Sequence, residues 1–196
     1  MNPTGIVAET DLERRIVADP KWVAGAAWGE PRSGHPEGRT ADHVAEVLAN
    51  VEAQATTEDE RRDLRLLALL HDTFKYQVDR SRPRVPPNEH GALAARFAAR
   101  YLTDRRLLAI LELHDEAYRA WRTGAVEGDW RAAIARASAV VDRLDGSIDV
   151  YLRFSRCDNR TGLKIRDSVR WFEGFLAGRG YVIPVDPFPV DASLLE

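Results

Sequence analysis

Apolar residues recur at three-and-four spacing along most of this chain, and no stretch alternates apolar with polar residues long enough to make a strand. Such spacing lays apolar side chains along one stripe of a helix, so the chain must bury a set of stripes against one another. Thr40 stands before Val44, Val47, Leu48 and Val51 in this register and can cap their helix. The segment Thr57-Glu58-Asp59-Glu60 has capping-box form and opens a helix carrying Leu64, Leu67 and Ala68. The proline-rich run from Ser81 to Pro87 breaks the pattern and predicts a loop. Asn88 then starts a helix with Leu93, Phe97 and Tyr101, and Thr103 can cap another holding Leu107, Ile110 and Leu111. Asp129 can cap a long helix from Trp130 to about Phe154, and a last helix is predicted over about Lys164 to Ala177. The first thirty residues read as one or two short helices, and the chain from Tyr181 onward reads as an extended strap. The expected fold class is all-α, in a single domain.

With 196 residues the chain can bury a sizeable core, and 44% hydrophobic against 30% charged residues excludes collagen-like and disordered classes. No run approaches the length of a membrane-spanning helix, and no secretory signal is expected in Met1 to Arg15. Cys157 has no partner for a disulfide, so the expected setting is cytoplasmic. The net charge of -3 leaves no positive field for nucleic acid or an anionic membrane, so neither is an expected partner. Only Lys21, Lys75 and Lys164 are lysines, and any phosphate pocket is therefore expected to be lined by arginine. No nucleophile elbow is present, Cys157 falls in a polar segment read as a loop, and Gly178-Arg179-Gly180 lacks the rest of a dinucleotide fingerprint.

Four of the five histidines share one property. His43, His71, His90 and His114 each fall on the stripe that should face the core. One buried imidazole is ordinarily a hydrogen-bonded core residue, but four in a small domain need four sets of polar partners. Helix rise adds a geometric test. From His43 to the turn near Thr57, and back to His71, the two legs are nearly equal at about 1.5 Å per residue. The legs from His90 to Thr103 and back to His114 match in the same way. Each hairpin then sets two histidines side by side at one end, which a shared metal site explains. Carboxylates must complete such a site. Asp72 follows His71 directly, and Asp142 lies in the apolar stretch from Ser138 to Asp145, where it needs either a cation or an arginine partner. Imidazole and carboxylate together favour Mn, Fe, Co, Ni or Zn over Ca or Mg, as one or two divalent ions.

The segment Ala68-Leu69-Leu70-His71-Asp72-Thr73-Phe74-Lys75, with His43 upstream and an Asp downstream, resembles the HD superfamily of metal-dependent phosphohydrolases. Two further histidines, His90 and His114, resemble those of its binuclear branch. The likeness implies a helical HD core over residues 35–155, an N-terminal helical extension over 1–34, and a C-terminal helix and tail over 156–196 packed on the core. It also implies that His43, His71, Asp72 and Asp142 hold one metal while His90 and His114 hold a second, with Asp72 bridging. Asp145 competes with Asp142 for the last position.

Two metals about 3.5–4 Å apart can share a hydroxide and clamp phosphate oxygens for in-line attack. The implied reaction is hydrolysis of a phosphoester or phosphoanhydride in a nucleotide-like small molecule, with Asp72 and Lys75 as catalytic residues. Lys75 also serves as a phosphate-binding cation, beside His35, Arg39 and Arg143 as further candidate substrate contacts. Two rivals fit the same ligands: a di-iron oxygenase, and a metal- or nucleotide-binding module without turnover. A homo-oligomer is left open.

Overall fold

A computed structural model describes residues 4–31, 36, 38–162, 164 and 166–188. Among the described residues it is all-helical, with no strand. The helices are α1 (Asp11–Val17), α2 (Pro20–Ala26), α3 (Thr40–Gln54), α4 (Glu58–Leu70), α5 (His90–Ala98), α6 (Arg105–Leu113), α7 (Glu116–Ala125), α8 (Trp130–Arg143), α9 (Ile148–Asn159) and α10 (Asp167–Ala177). A short 3-10 turn covers Lys75–Gln77. Among the described residues no helix is long and apolar enough to cross a membrane.

α4 is the central helix. It packs against α3, α5, α6 and α9, so Leu64, Leu67 and Leu70 lose all contact with solvent. Burying side chains of this size stabilises the fold by about 1.5–3 kcal/mol each. Thr57 caps α4 by accepting from Glu60 N at 3.2 Å, while Glu60 Oε2 accepts from Thr56 N at 2.7 Å. The two N-terminal helices lean on the same element. Trp22 of α2 is fully buried and donates its Nε1–H to Leu69 O at 2.7 Å. Arg65 of α4 grips Glu13 of α1 through two bonds, Nε to Oε1 at 2.9 Å and Nη2 to Oε2 at 3.0 Å.

Several sequence expectations shift. The helix predicted from Trp130 to Phe154 is two helices. Asp129 does cap α8, accepting from Ala132 N at 2.9 Å, but α8 ends at Arg143. The chain then turns through Gly146, whose φ of 72° suits a residue without a side chain, and α9 begins. Asp104 rather than Thr103 caps α6, accepting from Arg106 N at 2.8 Å. Asn88 pins the preceding loop instead of opening α5, bonding Asp79 N and the carbonyls of Asp79 and Pro83 at 2.9, 2.9 and 3.0 Å. The boundary drawn at residue 155 falls inside α9. The last helix opens at Asp167, three residues late. Beyond it, residues 181–187 have no regular structure and lie against α9, where Arg156 Nη2 donates to Pro184 O at 2.9 Å.

Candidate metal centre

The ends of five helices meet at one point. His43 sits in the first turns of α3, His71 directly follows α4, His90 opens α5 and His114 directly follows α6. The equal legs of the two hairpins have the expected result: His43 Nε2 lies 3.1 Å from His71 Nε2, and His90 Nε2 lies 3.0 Å from His114 Nε2. α5 and α6 approach closely enough because Gly91 has no side chain. A Cβ there would stand 2.6 Å from Glu112 O and 2.9 Å from Leu111 O.

Asp72 lies between the pairs. Its Oδ2 is 3.5 Å from His43 Nε2 and 3.6 Å from His71 Nε2. Its Oδ1 is 3.4 Å from His90 Nε2 and 3.6 Å from His114 Nε2. Asp158, from the last turn of α9, faces the first pair, with Oδ1 3.0 Å from His43 Nε2 and 3.6 Å from His71 Nε2. Asp115 faces the second, with Oδ2 3.4 Å from His90 Nε2. All four histidines and Asp72 are buried.

Second contacts aim the rings. His71 Nδ1 is 3.0 Å from Ala68 O, and His114 Nδ1 is 2.8 Å from Leu111 O. A ring that gives its Nδ1–H to a carbonyl turns the Nε2 lone pair inward, as metal-ligating histidines do. Two groups, His43 with His71 and Asp72, and Asp72 with His90 and His114, each bring their ligand atoms within 4.8 Å of one another. This donor set, imidazole nitrogen with carboxylate oxygen around a buried point, is of the kind that could hold a divalent metal.

The charge on each group follows from the same neighbours. Burial alone would raise the Asp72 carboxyl, but Lys75, His71 and hydrogen bonds from His114 and His90 outweigh it and hold the group well below the usual carboxylate range. Asp158 is held down in the same way, with Lys164, His43 and His71 overcoming its burial. Burial pushes His43 and His90 toward the neutral imidazole. It opposes the charge on His114 as well, yet Asp72 and Asp115 outweigh it and raise that group to about 9.

A cavity of about 530 Å³ opens onto the cluster. Asp72, His114, Asp115 and Asp158 border it on one side, and Tyr118, Trp121 and Phe172 supply an aromatic wall. Two of the three lysines, Lys75 and Lys164, line it with Arg122. Lys75 Nζ pairs with Asp72, and Lys164 Nζ lies 2.7 Å from Asp158 Oδ1.

The predicted positions divide accordingly. His43, His71, Asp72, His90, His114 and Lys75 come together. Asp142 does not: it is exposed on α8, and Asp145 is exposed beyond it. α8 ends at Arg143 with Asp142 on its exposed face, and Asp158 of α9 stands beside His43 and His71 where Asp142 was expected. Arg39 is exposed and bonds Asp42 at 2.8 and 2.9 Å, and Arg143 bonds Glu112 at 2.7 Å; neither lines the cavity. His35 lies outside the described residues. Asp158 was readable in principle, since it follows Tyr151 and Phe154 on their buried stripe. Cys157 is a buried residue of α9 rather than of a loop, and burial pushes its thiol pKa up, away from a nucleophile's range.

A family model for the HD domain matches residues 40–147 of the chain. No curated protein and no solved structure matches it.

Proposed function

Because the chain belongs to the HD domain family, a superfamily of metal-dependent phosphohydrolases, we propose that it hydrolyses a phosphoester or phosphoanhydride of a nucleotide-like small molecule. The observation that carries the reading is the placement of Asp72, with one carboxylate oxygen toward each histidine pair at the mouth of a cavity. His43, His71, Asp72 and Asp158 would hold one divalent ion, and Asp72, His90 and His114 a second, with Asp115 beside it. Such ions supply Lewis acidity and lower the pKa of bound water, so no side-chain nucleophile is needed.

The chain's own residues do the rest. The carbonyls of Ala68 and Leu111 fix the rings of His71 and His114. Asp72 sets the spacing of the two positions. Lys75 places an ammonium at the cavity edge, where it can meet a phosphate oxygen. Tyr118, Trp121 and Phe172 offer flat apolar surface to an aromatic base. A cavity of about 530 Å³ suits a ligand of mononucleotide size.

The test measures bound metal, phosphate release and oxygen consumption side by side over mononucleotides, dinucleotides and sugar phosphates. Metal-dependent phosphate release that falls at least ~10²-fold in Asp72→Ala is expected. Metal-dependent oxygen uptake without phosphate release would overturn the reading in favour of an oxygenase. Absence of turnover, with stability lost in Asp72→Ala, would leave a non-catalytic metal module.

A further inference from the structure

The cavity has a polar corner beside the metal cluster, at the start of α10. α10 is eleven residues long, and no side chain caps its N-terminus. Its first-turn amides, those of Asp167, Ser168 and Val169, are the orphan donors every helix begins with, and the helix dipole makes that end attractive to anions. Ser168 and Val169 are both buried there. Ser168 is 2% exposed, lines the cavity, and its hydroxyl has no hydrogen-bond partner among the described residues. Its neighbours in the same wall are satisfied: Ser155 Oγ donates to Tyr151 O at 2.9 Å, and Asn159 Nδ2 donates to Ser155 O at 2.9 Å. A buried hydroxyl without a partner is costly unless something else occupies its lone pairs or takes its proton. Lys164 lines the same cavity. Its Nζ sits 2.7 Å from Asp158 Oδ1 and 3.1 Å from Asp158 O, on the chain leading into α10. Asp167, the acidic residue of that first turn, is more than half exposed, with Arg170 Nη1 3.8 Å away.

We infer that Lys164, the Ser168 hydroxyl and the first amides of α10 form an oxyanion pocket that binds a phosphate group of the cavity's ligand, separate from the phosphate facing the histidines. A phosphate suits the corner because it accepts from an ammonium, a hydroxyl and backbone N–H groups at once. The inference rests on the proposed hydrolysis and narrows its substrate class to molecules carrying more than one phosphate, such as a nucleoside diphosphate or a longer phosphate chain.

Inorganic phosphate is the probe, titrated into the full-length chain as purified and after chelation. Chelation removes any phosphate site on metal, and the Lys164 and Ser168 variants then separate the corner from Lys75 and Arg122 on the same cavity. The expected result is saturable binding in both states, with the amide resonances of Ser168 and Val169 shifting after chelation. Lys164→Met should weaken that binding by about tenfold, and Lys164→Arg should restore most of it. Ser168→Ala removes one buried hydroxyl without disturbing Asp158, and it should weaken binding several-fold in a chain that folds normally. No phosphate binding after chelation, or affinity unchanged in Ser168→Ala, overturns the inference even if the loaded protein hydrolyses phosphoesters. Phosphate binding that depends on Lys164 and Ser168 in a chain that hydrolyses nothing sustains the pocket and removes the hydrolase reading instead.

Discussion

His43 Nε2 lies 3.0 Å from Asp158 Oδ1, so the ligand set closes between α3 and the far end of α9. Asp158→Ala is therefore expected to cost the first metal position at least ~10-fold in affinity, while Asp142→Ala leaves it unchanged. Metal content after dialysis against graded chelator distinguishes the two variants. Equal loss in both would mean that α8 reaches the cluster.

Gly91 sets the distance between the second pair of histidines. Gly91→Ala must push α5 off α6, since the new methyl would stand 2.6 Å from Glu112 O. Overpacking of this kind costs about 1–3 kcal/mol. The affinity of the second metal position, which depends on His90 meeting His114, should fall more than that of the first. Stepwise metal titration of the variant reads the two separately.

Metal removal should cost stability, because the folded chain presents the whole ligand set and the unfolded chain does not. With free metal at 100 times its Kd, the gain is about 2.7 kcal/mol for a single site. A thermal melt with and without chelator is expected to show a clear drop in Tm, reversed by adding metal back. In Asp72→Ala, which breaks both positions, the melt should respond far less to chelator.

The Glu13–Arg65 pair governs part of the acid limb. Burial would raise the Glu13 carboxyl, but the Arg65 hydrogen bonds and charge, with the backbone bonds from Glu9 and Thr10, hold it below its ordinary value. A folded-state pKa below the unfolded one means this contribution is complete above about pH 4.5 and is lost as pH falls through the folded value. Glu13→Gln leaves Arg65 its contacts with Glu9 at 2.9 Å and Val7 O at 3.0 Å, and should cost about 1.5–3 kcal/mol at neutral pH. Urea denaturation between pH 3 and 7 should show a flatter acid limb in that variant than in the natural chain.

Much of this was legible in the sequence, for a physical reason. Helical periodicity fixes which face of α3, α4, α5 and α6 is buried, and nearly equal hairpin legs then force His43 beside His71 and His90 beside His114. Those are local constraints. Asp158 and Lys164 were not found because their position depends on where a helix stops. Gly146 ends the run through Trp130 and starts α9 in a new direction, and a single glycine in an otherwise regular pattern gives little sign of it. Arg39 and Arg143 were expected to contact substrate. Each instead satisfies a neighbouring carboxylate at the surface. The lining of the cavity by α7 and α10 is a tertiary matter that periodicity does not encode.

α9 ends with a carboxylate aimed at the cluster, and a few residues later the chain begins the helix that walls the cavity. The carboxylate that faces the histidines and the helix that walls the cavity thus lie close together along the chain. Exchanging α10 for another helix would alter which molecules are admitted and leave the histidines and Asp72 where they are. Shortening α9 by a single turn would undo carboxylate and doorway at once, since Ser155, Asp158 and Asn159 belong to the doorway as well.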